Sequence, residues 1–363
     1  RVSRWRGYRC SRRPGPPRLV QQIYRPDPWS QNREPRRHPS SLFRRAPRIS
    51  ARTILIVDST LLVIQILNGL QLGVLLFLLA AGLTLVFGIM DFINLAHGSF
   101  YMVGAFFCAT LTLWLDSFLL ALLLTLPLTF VVGMVVELLV VRHLYQEDHL
   151  QQILATFGLI LVADTLVHII WGPEGLTFAL PEILNGQVTV LPGILFPVYR
   201  ILIISVGLLI AVGLYIVVTQ TRVGMLIRAG ASNRRMVEAL GVDIRYLFTL
   251  VFGAGAVMAG LAGLMIAPIT EASIGMGNEI LIVAFVVIVI GGVGSIKGAF
   301  LGALLVGLID TLGRSFLDDM LKLVLSNQAA ETSAPAISAM LIYILMAAIL
   351  YFRPQGLFPP KGR

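Results

Sequence analysis

Polar residues that could do chemistry fall at a few places along an otherwise hydrocarbon chain. "INLAHGSFYMVGAF", residues 93–106, sets Asn94 and His97 directly before Gly98, between two long apolar runs. An amide and an imidazole beside a glycine either cap two helices at a membrane edge or break a membrane helix and line a polar path. Asp91 and His97 can also satisfy each other as a local pair. A second stretch, "IGGVGSIKGAF" at 290–300, gathers Gly291, Gly292, Gly294 and Ser295. It lacks the Gly-Lys-Ser/Thr ending of a phosphate loop, so nucleotide binding is not expected there. Glu137, Asp164, Asp310 and His168 interrupt apolar runs, where ionisable groups mark functional sites by default or sit at helix ends. For Glu137 and His168 the helix-end reading is preferred. No nucleophile or metal-ligand spacing accompanies these residues, which argues against an intramembrane enzyme, a bound metal or a cofactor.

The two glycine stretches resemble one another. Each reads basic–Gly–small–Phe, "HGSF" from His97 and "KGAF" from Lys297, before another apolar helix. Four matching positions hint at a parallel internal repeat. Breaks of this kind expose helix ends that can hold the charged ends of a zwitterion. Asn94, His97, Gly98, Gly291, Gly292, Gly294 and Ser295 are therefore the candidate substrate pathway.

The elements that must position them follow from composition. Of 363 residues 57% are apolar and 13% charged, about half the charged share of a soluble domain. Apolar runs of 18 or more residues recur, each long enough to cross a roughly 30 Å hydrocarbon layer as a helix. Alternation of period two is absent, against a membrane β-barrel. The fold class expected is all-α, a polytopic helical bundle. The runs are 58–90, 98–115, 117–141, 151–171, 200–220, 246–270, 279–296, 297–314 and 336–352, which makes eight or nine spans, some broken at glycines. The 58–90 run is too long for a plain span and holds Asn68, Gly69, Gly73 and Gly82, so tilt or a break is expected in it. Residues 172–198 contain four prolines and read as an extramembrane loop with a short hairpin.

The net charge of +9 belongs to one segment. Residues 1–50 hold 14 arginines, two acids and eight prolines, and the remainder sums to −3. Such a segment cannot offset the entropy of ordering. The first methionine is Met90, beyond the first apolar run. Residues 1–56 are read as a disordered, upstream read-through arm, with a native start at Val57. No nucleic-acid partner is expected. The membrane domain is 57–358, with 359–363 as a tail.

Arginine bias sets the orientation. Loop 221–245 carries five arginines, the closing "FRPQGLFPPKGR" three basic residues and loop 172–198 none. The first two are expected in the cytoplasm and the last outside. Within "SNRRMVEALGVD", Ser232 is expected to cap a short helix, Met236, Val237 and Leu240 to form its apolar face, and Gly241 to end it. Arg234, Arg235 and Glu238 stay on the wet side. This helix either docks in a partner's groove or rests on the membrane surface.

With "LNGLQLGVLLFLLAAGLTLVFGIMDFINLAHGSFYMVGAF", "TRVGMLIRAGASNRRMVEALGVDI", "FGAGAVMAGLAGLM", "IGGVGSIKGAFLGALLVGLID" and the closing "RPQGLF", the chain resembles the inner-membrane permeases of branched-chain amino-acid ABC importers. The resemblance runs from about residue 60 to 358. It implies a transport subunit in a bacterial inner membrane, in contact with lipid and with no ATPase of its own, ATP being bound by partner subunits. Those partners would be two cytoplasmic ABC ATPases, a second homologous permease or a second copy, and an extracytoplasmic substrate-binding protein. Arg234, Arg235, Met236, Glu238, Ala239, Leu240 and Gly241 would form the ATPase-coupling loop. Substrates of such permeases include leucine, isoleucine and valine, other amino acids, amides and urea. One departure is "VVRHLYQEDHLQQ", where the family carries an arginine–proline element. The alternative is an ion-coupled secondary carrier, with Asp164 and Asp310 as the coupling groups.

Overall fold

The computed structural model describes residues 51–359. The arginine-rich residues 1–50 and the last residues of the tail, 360–363, lie outside the described residues, and the expectations on them with it. The elements are α1 (Ala51–Met90), α2 (His97–Leu115), α3 (Phe118–Leu139), a 3₁₀ turn (Val141–Leu144), α4 (His149–Trp171), β1 (Gln187–Leu191), β2 (Ile194–Pro197), α5 (Val198–Gln220), α6 (Arg222–Ser232), α7 (Arg234–Ala239), α8 (Ile244–Thr270), α9 (Met276–Gly291), α10 (Ile296–Lys322) and α11 (Asn327–Phe352). Among the described residues, eight helices are long and apolar enough to cross a membrane, and α9 is shorter. At 16 residues it spans about 24 Å, less than the hydrocarbon layer.

Most helices start where a short polar side chain accepts from a free backbone N–H. Ser117 caps α3, Asp148 α4, Thr221 α6, Asp243 α8 and Ser295 α10. Four begin without a side-chain cap: α5, α11, α2, preceded by Ala96, and α9, preceded by Gly275 at φ +81°.

Of the tilt or break expected within 58–90, the break is not there, because α1 runs unbroken to Met90. Its glycines serve close approach instead. A β-carbon at Gly73 would sit 2.8 Å from Leu304 Cα, and one at Gly82 2.7 Å from Gly255 O. The roughly 1 kcal/mol that a glycine costs a helix is offset by packing backbone on backbone against α10 and α8. The core lies along α1, α2, α8 and α9, with Phe77, Phe106 and Phe252 fully buried on these helices and Phe92 in the link after α1. The flanks of α3, α4 and α5 expose leucine, isoleucine and valine, the surface a helix offers to lipid.

The expected hairpin is present as antiparallel β1 and β2. Ala272, just past α8, pairs with Leu176 in the same loop, so α4, α5 and α8 share a hairpin end. At the opposite end α1 terminates beside α6, where Ile89 and Met90 line a cleft with Gly230. α9 leads from the hairpin-end loop 271–275 back to the α6–α7 end.

Candidate functional site

The two glycine stretches are real breaks in the helical run, and they grip α9 from opposite ends. A β-carbon at Gly98 would lie 2.2 Å from Gly277 O, in the first turn of α9, and one at Gly298 2.1 Å from Gly291 O, at its last residue. The candidate pathway residues are thus not gathered into one site. About 21 Å of helix separates the two clamps. The resemblance between the breaks also ends at their basic residues: His97 is buried, whereas Lys297 sits over the Tyr215 ring.

His97 does not lie at a wet edge. It is 1% exposed, its Nε2 stands 3.2 Å from Leu79 O, and it fills the notch left by Gly82. Asn94 is fully buried with neither amide atom hydrogen-bonded, and Ser99 Oγ is unpartnered as well. At the other break Gly292 and Gly294 take φ +104° and +84°, the left-handed region that favours glycine. The tail closes over this turn. Leu357 N donates to Ile290 O and Phe358 N to Gly291 O, each at 2.9 Å, satisfying carbonyls that the end of a helix leaves free. That is the work of "RPQGLF".

A cavity of about 640 Å³ opens at the hairpin end against the uncapped start of α9. Its apolar wall is Leu72, Leu75 and Leu76 of α1, Ile280 and Val283 of α9, Val306 of α10 and Ile342 of α11, with Tyr101 of α2. Its polar side is Glu271, Glu279, Asp310 and Arg314. Asp310 and Arg314 pair at 2.9 Å, and among the described residues Glu271 and Glu279 have no ion-pair partner. The positive end of the α9 helix dipole favours a carboxylate, while the acids favour an ammonium group. Of the acids singled out in the sequence only Asp310 is here. Asp164 accepts from Asn278 Nδ2 at 3.0 Å, close to the same helix start. Glu137 is buried at the far end of α3, in a network with Arg142, Tyr145 and Thr249. Sequence reasoning missed Tyr101, Glu271, Glu279 and Arg314. Pro268 and the run "GMGNE" at 275–279 were the signals that a helix restarts there.

At the α6–α7 end the loop differs from expectation. Ser232 is the last residue of α6, and Asn233 caps α7 by accepting from Met236 N at 3.1 Å. The apolar face is split. Val237 is buried against the bundle, while Met236 and Leu240 are 59% and 77% exposed. Glu238 and Ala239 are exposed beside them, and Gly241 ends the helix at φ +84°. The side chains of Arg234 and Arg235 lie outside the described residues.

A model of the family described as branched-chain amino acid transport system / permease component matches residues 65–350. The chain belongs to that family. The permease is 30% identical over 307 residues to the high-affinity branched-chain amino acid transport system permease protein BraD of Pseudomonas aeruginosa, covering 81% of this chain and 94% of the relative. It is 29% identical over 278 residues to LivH of Escherichia coli, with 72% and 89% covered. A shorter match, 29% over 146 residues, covers 39% of the permease and 41% of a probable permease named LivM from Methanocaldococcus jannaschii. No solved structure matches it significantly. This is a multi-pass membrane protein, the permease component of a branched-chain amino-acid ABC transport system, and such components lack an ATPase site of their own.

Proposed function

We propose that the permease takes a branched-chain or related amino acid from an extracytoplasmic binding protein into the cavity at the hairpin end. It then passes the substrate inward across a bacterial inner membrane. The observation that carries this is the cavity's two-sided lining: aliphatic residues on one wall, and opposite them the start of α9 with Glu279, Glu271 and the Asp310–Arg314 pair. A pocket of this size suits a small ligand, and such a lining complements an aliphatic side chain and a zwitterionic head together. In this reading the hairpin end is extracytoplasmic and the α6–α7 end and the C-terminus are cytoplasmic, as arginine bias requires.

Two ATPase subunits dock on α6–α7 and hydrolyse ATP, and Met236, Glu238, Ala239, Leu240 and Gly241, with Arg234 and Arg235, form the docking surface. A second permease completes the pathway. The match to a LivM-type relative supports a homologous partner over a second copy. Asn94, His97, Gly98, Gly291, Gly292, Gly294 and Ser295 act on the pathway through α9, by setting the height and tilt of the helix that walls the cavity. Two local partnerships, Asp164 with Asn278 and Asp310 with Arg314, weigh against the ion-coupled carrier, which needs those acids free.

The test is substrate uptake by the reconstituted complex of Glu279→Gln and Arg314→Gln. Each is expected to raise the KM for leucine about tenfold, with ATPase assembly intact, because a charged contact to the substrate is lost. Unchanged KM and rate in both variants would remove the cavity from the pathway.

A further inference from the structure

Glu137 is a fully buried carboxylate that substrate binding does not use. It sits in the last turns of α3 and accepts from Tyr145 Oη at 2.8 Å and from Thr249 Oγ1 at 2.8 Å, with the Arg142 guanidinium 3.4 Å away. Arg142 Nη2 also donates to Thr249 Oγ1 at 2.9 Å. Thr249 lies in the second turn of α8, the helix that starts at Ile244, directly after α7 and Gly241. The network therefore holds α3 to the part of α8 that would move first if α7 were displaced.

Tyr145 carries the connection onward. Its ring packs edge-on against Phe248 of α8 at 5.3 Å and against Phe92 at 6.0 Å. Phe92 is fully buried in the break between α1 and α2. The next residue is held by the same link: Ile93 N donates to Gln152 Oε1 at 3.3 Å, while Gln152 Nε2 donates to Leu144 O and Glu147 O. The segment 142–152 thus embraces the break, and the break leads within a few residues to Gly98 and its contact with α9. An apolar group would fill the place of Glu137 with no desolvation penalty, so a buried charge here invites an explanation beyond stability.

We propose that Glu137 and Tyr145 are positioning residues that transmit motion of the α7–α8 corner to the α1–α2 break, and through Gly98 to the helix that walls the substrate cavity. The carboxylate grips α8 through Thr249. The phenol, tethered to that carboxylate, presses on Phe92. When the ATPases push on α7, the first turns of α8, the tyrosine and the break shift as one unit. The proposal rests on the docking of ATPases at α7, and its test separates the two.

The test compares Tyr145→Phe, Glu137→Gln and Thr249→Val in the complex with its ATPases and binding protein. Tyr145→Phe keeps the ring and removes the tether, and Thr249→Val keeps the shape and removes the hydroxyl. Expected are normal copurification of ATPases, wild-type abundance in the membrane, retained basal hydrolysis, and an uptake-to-hydrolysis ratio lowered about tenfold. Coupling unchanged in Tyr145→Phe and Thr249→Val overturns the proposal, as does a loss of uptake that merely follows lost abundance. If Glu137→Gln does not accumulate, the other two variants decide. Failure of the wild-type chain to bind ATPases at all defeats the docking reading instead.

Discussion

The tightest test of the clamp on α9 is a single methyl group. At Gly98 a β-carbon would stand 2.2 Å from Gly277 O, 2.8 Å from Gly277 C and 3.1 Å from Leu281 Cβ. Real β-carbons keep at least 3.0 Å, so α2 and the first turn of α9 must part by about 0.8 Å, 3.0 less 2.2. The nearest atoms are backbone, and no side chain can swing aside. Overpacking of this kind costs about 1–3 kcal/mol, and the displaced turn carries Gly277 beside Met276 and Glu279 of the cavity wall. Gly98→Ala is therefore expected to lower the thermal midpoint of the purified permease and to reduce leucine uptake per molecule in the membrane. Gly277→Ala, with its β-carbon 1.9 Å from Gly98 O, should do the same. The double variant should cost less than the two singly, since both open one contact. Gly158→Ala and Gly213→Ala in α4 and α5, where nothing lies within 4 Å of the added carbon, serve as controls and should behave as wild type. Wild-type midpoint and uptake in Gly98→Ala would refute the close contact and with it the clamp.

Two further outcomes test other parts of the structure. Glu238→Lys reverses an exposed charge on α7 and Gly241→Val forces a branched residue into φ +84°, a strain of about 1–2 kcal/mol. Both should leave the permease in the membrane but weaken copurification of the ATPases or uncouple hydrolysis from uptake, and intact assembly and coupling in both would make α7 mere surface. Asn94→Ala removes two buried amide atoms that have no hydrogen-bond partner, so thermal stability should hold or rise by about 1 kcal/mol. A fall of that size would mean the amide is satisfied in the working protein.

Amino-acid order alone carried the class of this protein, because the hydrocarbon layer leaves a chain few choices. Backbone polar groups must be satisfied within each span, so long apolar runs near 98–115, 151–171 and 200–220 became α2, α4 and α5 with ends shifted by a few residues. The prolines and charge-poor composition of 172–198 likewise marked the hairpin, and Gly241 marked the end of α7, since a positive φ has a residue preference that can be read locally. Glycine was legible as a special position but not as a special role. In α1 the glycines read as tilt or a break form a seam, since Gly73 and Gly82 meet the backbones of α10 and α8, partners far away in sequence. The cap on α7 was misplaced by one residue because Ser232 and Asn233 are equally good acceptors in isolation, and only the path of α6 chooses between them.

The candidate site divides the same way. Asn94, His97 and the glycines announced themselves by chemistry out of place in a hydrocarbon run, and the sequence determined that the helices break there. Only the tertiary structure decided that the breaks clamp α9 at opposite ends, that His97 packs in the notch of Gly82, and that the polar cavity lies elsewhere, with Glu271, Glu279 and Arg314. The physical reason is the range of the interactions. Helix formation, breaking and capping are settled within four residues by hydrogen bonds and local torsions. A cavity is the space left over after helices distant in sequence have packed, and no local pattern encodes its shape.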